Sequence, residues 1–224
     1  WTICRIPTAA IAQQAKRSLD EMMEFFFGAT LLDWQEEATE LEAKRRKIDD
    51  TAEVQIRAPG TDLRFSTAGR QYVVEDGHIN MPGGELFTAP VEDSVEGYIS
   101  FEDPGVFAGT LMEGIRLEFS EGKVVNSHSD TNAGFLEELL DMDEGSRRVG
   151  EFGIGTNRLV DFLSNDILYD EKIYGTVHIA LGRSYTACGG KNQSALHWDI
   201  VKDLRRGGEV LVDGSTIIAD GNLL

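Results

Sequence analysis

Four histidines, His78, His128, His178 and His197, are the first residues of this chain whose chemistry must be weighed. His197-Trp198-Asp199 places an imidazole and a carboxylate two positions apart, which on a strand sets both on one side. His178 lies inside the apolar run Val177-His178-Ile179-Ala180-Leu181, where an imidazole is costly unless its nitrogens find partners. A metal ion would satisfy it, and so would an ordinary hydrogen bond. Two carboxylates stand in equally distinct settings. Met81-Pro82-Gly83-Gly84-Glu85 is a rigid, tight loop that either presents Glu85 beside exposed backbone or is only a turn with a surface glutamate. Gly150-Glu151-Phe152-Gly153-Ile154-Gly155-Thr156-Asn157 puts Glu151 in a short glycine-rich strand. That segment is no nucleotide fingerprint, because the third glycine and the following helix are missing. Glu92, Asp93 and Glu96, after Pro90, read as surface or turn acids. The G-x-S-x-G, H-E-x-x-H and cysteine-based zinc spacings are absent.

The elements that position these residues follow from periodicity. Thr8 is a helix cap, and residues 9–27 read as helix. Asp33 caps a second helix with Trp34, Ala38, Leu41 and Ile48 on one face. Its other face, from Glu36 to Lys47, starts acidic and ends basic, as the helix dipole favours, and reads as solvated surface. Strand patterns then take over. Val54–Ala58 and Leu63–Ser66 flank a turn at Gly60-Thr61-Asp62, and Tyr72–Val74 and Gly97–Phe101 are further strands. Ile115–Phe119 and Val124-Val125 form a hairpin around Glu121-Gly122, and Thr131–Met142 is helical. Val177–Leu181 is a strand, and Glu209–Val212 with Thr216–Ile218 closes the chain as a hairpin around Asp213-Gly214. Helices first and strands later, many joined by short glycine turns, predict an α+β fold: an N-terminal helix pair, then a largely antiparallel or mixed, barrel-like sheet with a few further helices.

Composition narrows the class. At 224 residues, with 41% hydrophobic and 27% charged, the chain is an ordinary globular sequence of a size that buries its own core. The net charge of −18 repels phosphate backbones and anionic lipid, which argues against nucleic-acid and membrane partners. No apolar run approaches the roughly 20 residues of a spanning helix. Cys4 and Cys188 make no disulfide framework, a pattern that fits a reducing cytoplasm or simply a protein without bridges. A start at Trp1 rather than Met reads as a fragment or a processed chain.

Several segments, taken together and in order, carry a specific resemblance. They are Asn80–Glu85, Thr88–Gly97, Gly150–Asn157, His178-Ile179-Ala180-Leu181-Gly182-Arg183-Ser184-Tyr185 and His197-Trp198-Asp199. Over its whole length the chain resembles the thermophilic metallo-aminopeptidase family. The resemblance implies that residues 1–224 form the C-terminal catalytic domain, with an upstream α/β domain of the family absent. It implies two divalent ions, zinc or cobalt, held by Glu85, Glu151, His178, His197 and Asp199, with one carboxylate bridging. It implies an activated bridging water that attacks a peptide bond. Tyr185 would match an active-site tyrosine that donates to the oxyanion, and Glu85 or Glu151 would move the proton to the leaving amine. Peptides with a free N-terminus are the implied substrates, and a cytoplasmic homodimer the implied setting. Two other readings compete. One is a non-catalytic, metal-binding acidic module. The other is a two-carboxylate glycosidase using Glu85 and Glu151, which leaves His178 and the His197-Asp199 pair unexplained.

Overall fold

A computed structural model describes every residue, Trp1–Leu224. Alternating apolar residues build two antiparallel sheets. The larger has eight strands in the order Lys123–His128, Arg116–Ser120, Glu96–Ser100, Thr61–Ser66, Glu53–Ala58, Glu209–Val212, Ser215–Ala219 and Asn222–Leu223. The smaller has five, in the order His197–Asp203, Thr176–Gly182, Val149–Gly155, Glu85–Thr88 and Val73–Glu75. The class is α+β as predicted, and the sheets stay open rather than closing into a barrel.

The core lies between the sheets. Val54, Ile56, Leu63, Phe65, Ile99 and Leu117 of the large sheet share one buried cluster with Leu86, Phe152, Ile154, Val177, Ile179, Leu181, Trp198 and Ile200 of the small one. Phe65 and Phe152 meet edge to face across the gap, with ring centroids 5.1 Å apart. Period two then sends the intervening residues of the small sheet to its far face: Glu85, Glu151, Gly153, His178, Ala180, His197, Asp199 and Val201. Strands Val149–Gly155 and Thr176–Gly182 are nevertheless buried at every position. The helix Trp34–Ile48 packs on Val73–Glu75 and Glu85–Thr88 and adds Leu41 and Ile48 to the core cluster, while the segment that follows Asn157 brings Lys172 to Glu85 on the far face. In that segment Tyr169 joins Ile11, Met22 and Phe26, while Val160 and Ile173 join Ala29.

The helix predicted over 9–27 is two helices, Ala9–Gln14 and Leu19–Thr30, so three helices rather than a pair precede the strands of the two sheets. Lys16 takes a left-handed φ of 56°, and Arg17 N–H returns to Ala12 O at 2.9 Å. Ser18 and Glu21 then cap the new helix reciprocally, a Ser-x-x-Glu box that outweighs the helical tendency of the alanines and glutamines before it. The Asp33 cap is present and accepts from Gln35 N and Glu36 N. No helix is long and apolar enough to cross a membrane.

Candidate metal centre

Strand register gathers the site. Glu151 pairs with Ala180, and Ala180 with Asp199, so two acids face one another across a small residue. One row along, Phe87, Gly153, His178 and Val201 are neighbours. Gly153 is a glycine for a steric reason: a Cβ there would lie 2.0 Å from Nε2 of His178. The imidazole occupies the space that a side chain at 153 would fill.

The loop before Glu85 is clamped from several sides. Gly84 has φ of +111°, and a Cβ on it would press within 2.7 Å of Asn157 Cβ. Asn157 donates through Nδ2 to Gly83 O at 3.0 Å and Ala29 O at 3.1 Å, and Thr156 N–H donates to Gly84 O at 2.9 Å.

These constraints bring Glu85, Glu151, His178, His197 and Asp199 together. Nε2 of His178 is 3.4 Å from Oε2 of Glu85 and 3.4 Å from Oε1 of Glu151. Nε2 of His197 is 3.4 Å from Oε2 of Glu151 and 3.4 Å from Oδ2 of Asp199. Glu151 thus faces one imidazole with each oxygen. Charge-assisted hydrogen bonds are shorter, about 2.7–2.9 Å. Donors arranged tetrahedrally around one cation, with bonds of about 2.1 Å, stand about 3.4 Å apart. His197 donates from Nδ1 to Arg183 O at 2.8 Å, which leaves Nε2 free to act as a ligand. Glu85 Oε2, His178 Nδ1 and Asp199 Oδ1 are buried without hydrogen-bond partners. The two orphaned carboxylate oxygens, gathered at one place, call for a ligand.

The electrostatics agree. Burial disfavours charge on Glu151, yet His178 and His197 hold its carboxyl down at about 2. Burial disfavours imidazolium at both histidines, yet the carboxylates around them bring each up to about 9. Burial pushes Asp199 up to about 6 against the pull of His197, and it raises Glu85 against Lys172 and His178. Without a metal, the imidazoles are the cations beside Glu151 and Asp199, and the Lys172 ammonium is the cation beside Glu85.

Tyr185 sits at the open rim, 40% exposed, with its hydroxyl 3.4 Å from His197 Nε2 and its ring tilted over the imidazole at 5.0 Å. Burial and then the nearby carboxylates push its hydroxyl well up, so it remains a donor. The other two histidines lie outside the centre: His78 and His128 are exposed and pair with Asp76 and Asp130. Glu92 pairs with Arg70, Nη2 to Oε2 at 2.6 Å.

Sequence reasoning passed over two residues of this centre. Glu171 forms a further donor group with His178 and Asp199, all within 4.8 Å of one another. Lys172 is fully buried, donating to Glu85 Oε1 at 2.9 Å and to Glu171. As Asp170-Glu171-Lys172, a run of charges after a short helix, they look like a solvated turn.

The chain matches the thermophilic metalloprotease (M29) family across residues 1–222. It belongs to that family. Aminopeptidase T of Thermus thermophilus is 31% identical over 216 residues, covering 83% of this chain and 52% of that relative. Aminopeptidase 2 of Geobacillus stearothermophilus is 29% identical over 220 residues, covering 83% of this chain and 51% of that relative. The chain therefore spans about half the length of these relatives. The solved structure of wild-type AmpT from Thermus thermophilus superposes with a TM-score of 0.80 at 27% identity, over 92% of this chain and 59% of that one. A 2,5-dihydroxypyridine dioxygenase from Pseudomonas putida superposes with a TM-score of 0.73 at 19% identity, over 90% of this chain and 62% of that one, and shares the fold alone. M29 membership implies divalent metal ions, and the imidazole and carboxylate donors gathered here fit that chemistry.

Proposed function

We propose that this M29 chain is the catalytic part of a dinuclear aminopeptidase. Glu85, Glu151 and His178 would hold one divalent ion, and Glu151, His197 and Asp199 the other, with Glu151 shared. The observation that carries this reading is Glu151 itself, with one oxygen 3.4 Å from each of two imidazoles. When bound, two ions of the zinc or cobalt kind supply Lewis acidity toward a peptide carbonyl and a water acidic enough to ionise near neutral pH.

The chain's own groups do the rest. The site opens at Tyr185 and His197, so a peptide approaches from that rim. Tyr185 donates its phenolic hydrogen to the carbonyl oxygen as negative charge develops there, an interaction worth about 3 kcal/mol at such a position. His178 and His197 flank the two oxygens of Glu151, one on each side, which sets its carboxylate between the two ligand groups. The acidic site attracts the free ammonium of a peptide N-terminus, which supports exopeptidase action. Family resemblance alone supports the remaining parts of the reading, a cytoplasmic protein that works as a homodimer.

The test is to count metal by elemental analysis after loading with zinc or cobalt, and to assay a leucyl chromogenic substrate with and without chelator. Two ions per chain with chelator-sensitive release of leucine are expected. Two ions without turnover would make the chain a metal-binding module. Turnover that survives chelation and metal-free dialysis would refute the metallopeptidase reading.

A further inference from the structure

The buried ammonium of Lys172 has no place in the ligand set, and a fully buried lysine demands an explanation, since an apolar side chain would fill the space without desolvating a charge. Its surroundings supply one. Nζ lies 2.9 Å from Oε1 of Glu85 and also bonds Oε1 of Glu171. The other oxygen of Glu85 is the one turned toward His178, 3.4 Å away, and it has no hydrogen-bond partner. The backbone of Lys172 is tied into the same frame: its carbonyl accepts from Asn157 N–H at 3.0 Å, and the Asn157 side chain holds the Gly83 carbonyl.

We propose that Lys172 is the positioning residue of the metal centre. It takes one oxygen of Glu85, so that Glu85 offers only the other to the ion it shares with Glu151 and His178. It also engages Glu171, which otherwise belongs to a third potential ligand group with His178 and Asp199, and so keeps that carboxylate out of the coordination sphere. Through these two contacts, Lys172 decides which of the overlapping donor groups is filled on the Glu85 side. The Glu151, His197 and Asp199 group lies outside its reach, because Lys172 bonds none of its members. The inference rests on the dinuclear reading above.

The test titrates metal-free protein with cobalt, following heat and visible absorption, with no activity measurement. Wild type is expected to bind two ions, and fewer would overturn the dinuclear reading itself. Lys172→Met should weaken one ion by 10- to 100-fold, the usual effect of losing a partner that orients a ligand, and leave the other within about threefold. Asp199→Asn removes the His197-side ion and identifies the affected event: in that background Lys172→Met must weaken the ion that remains. Glu171→Gln should keep both ions within about threefold and leave the cobalt spectrum unchanged. Equal weakening of both ions in Lys172→Met, or no weakening, overturns the proposal. So does loss of an ion from Glu171→Gln, which decides the matter by itself if Lys172→Met does not fold.

Discussion

Replacing Gly153 by alanine tests whether a missing side chain is part of the metal centre. The new Cβ would stand 2.0 Å from Nε2 and 2.1 Å from Cε1 of His178. Non-bonded contact needs about 3.5 Å, so the ring must retreat by roughly 1.5 Å. Metal–imidazole bonds tolerate only about 0.2 Å around their preferred length. His178 is fully buried, so its ring has no solvent-filled space into which to swing. The ion held with Glu85 and Glu151 should therefore bind at least about 100-fold more weakly, equivalent to about 2.7 kcal/mol. Glycine in a strand interior is less stable than alanine by about 0.5–1 kcal/mol, so a change felt only by the backbone would make the variant more stable. Crowding at His178 instead predicts a loss of about 1–3 kcal/mol. Cobalt titration by calorimetry and urea unfolding of the metal-free protein read the two quantities separately. A Gly153→Ala protein that is more stable than wild type and binds both ions normally would refute the packing argument.

Three further outcomes are expected. Tyr185→Phe should lower kcat by about 100-fold or more with metal content unchanged, as measured by steady-state kinetics beside elemental analysis; an unchanged kcat would remove Tyr185 from the chemistry. In metal-free protein His178 and His197 titrate at about 9 against about 6.5 when unfolded, so their stabilising charge is fully present below about pH 6.5 and lost as pH rises through 9. Thermal melts of the metal-free protein should fall across that window, while metal affinity climbs, because ions and protons compete for the same nitrogens. Ser18→Ala should cost about 1 kcal/mol by removing the cap of Leu19–Thr30, seen in chemical unfolding, and leave metal binding intact.

The strands were legible because half-buried sheets write their period into the sequence, and the hairpin turns at Gly60, Gly122 and Gly214 announced themselves by composition. The break at Lys16 is equally written, in Ser18 and Glu21, but the run of helix formers before it masks the signal. The candidate ligands stood out through their odd company: a histidine in an apolar strand, a glutamate among glycines. Lys172 and Glu171 did not, because charge on a sequence is read as solvent exposure, whereas Lys172 is buried against Glu85, 87 positions away in the chain. Gly153 carried a signal at alternate positions with Glu151 and Gly155, yet the ring that needs its space is supplied by a different strand.

The strand Val149–Gly155 turns Phe152 and Ile154 to the core and Glu151 and Gly153 to the metal centre. Folding and chemistry are thus printed on opposite sides of one ribbon, and damage to each has a different remedy. A loss at 152 or 154 is a deficit of cohesion, which lower temperature or a stabilising substitution elsewhere can make good. A loss at 151 or 153 is a deficit of geometry, and no surplus of stability restores a donor to its place. Substitutions read along this strand should therefore alternate between repairable and irreparable, residue by residue. For anyone adapting the scaffold, that alternation separates the positions to vary for robustness from those to vary for a new reaction.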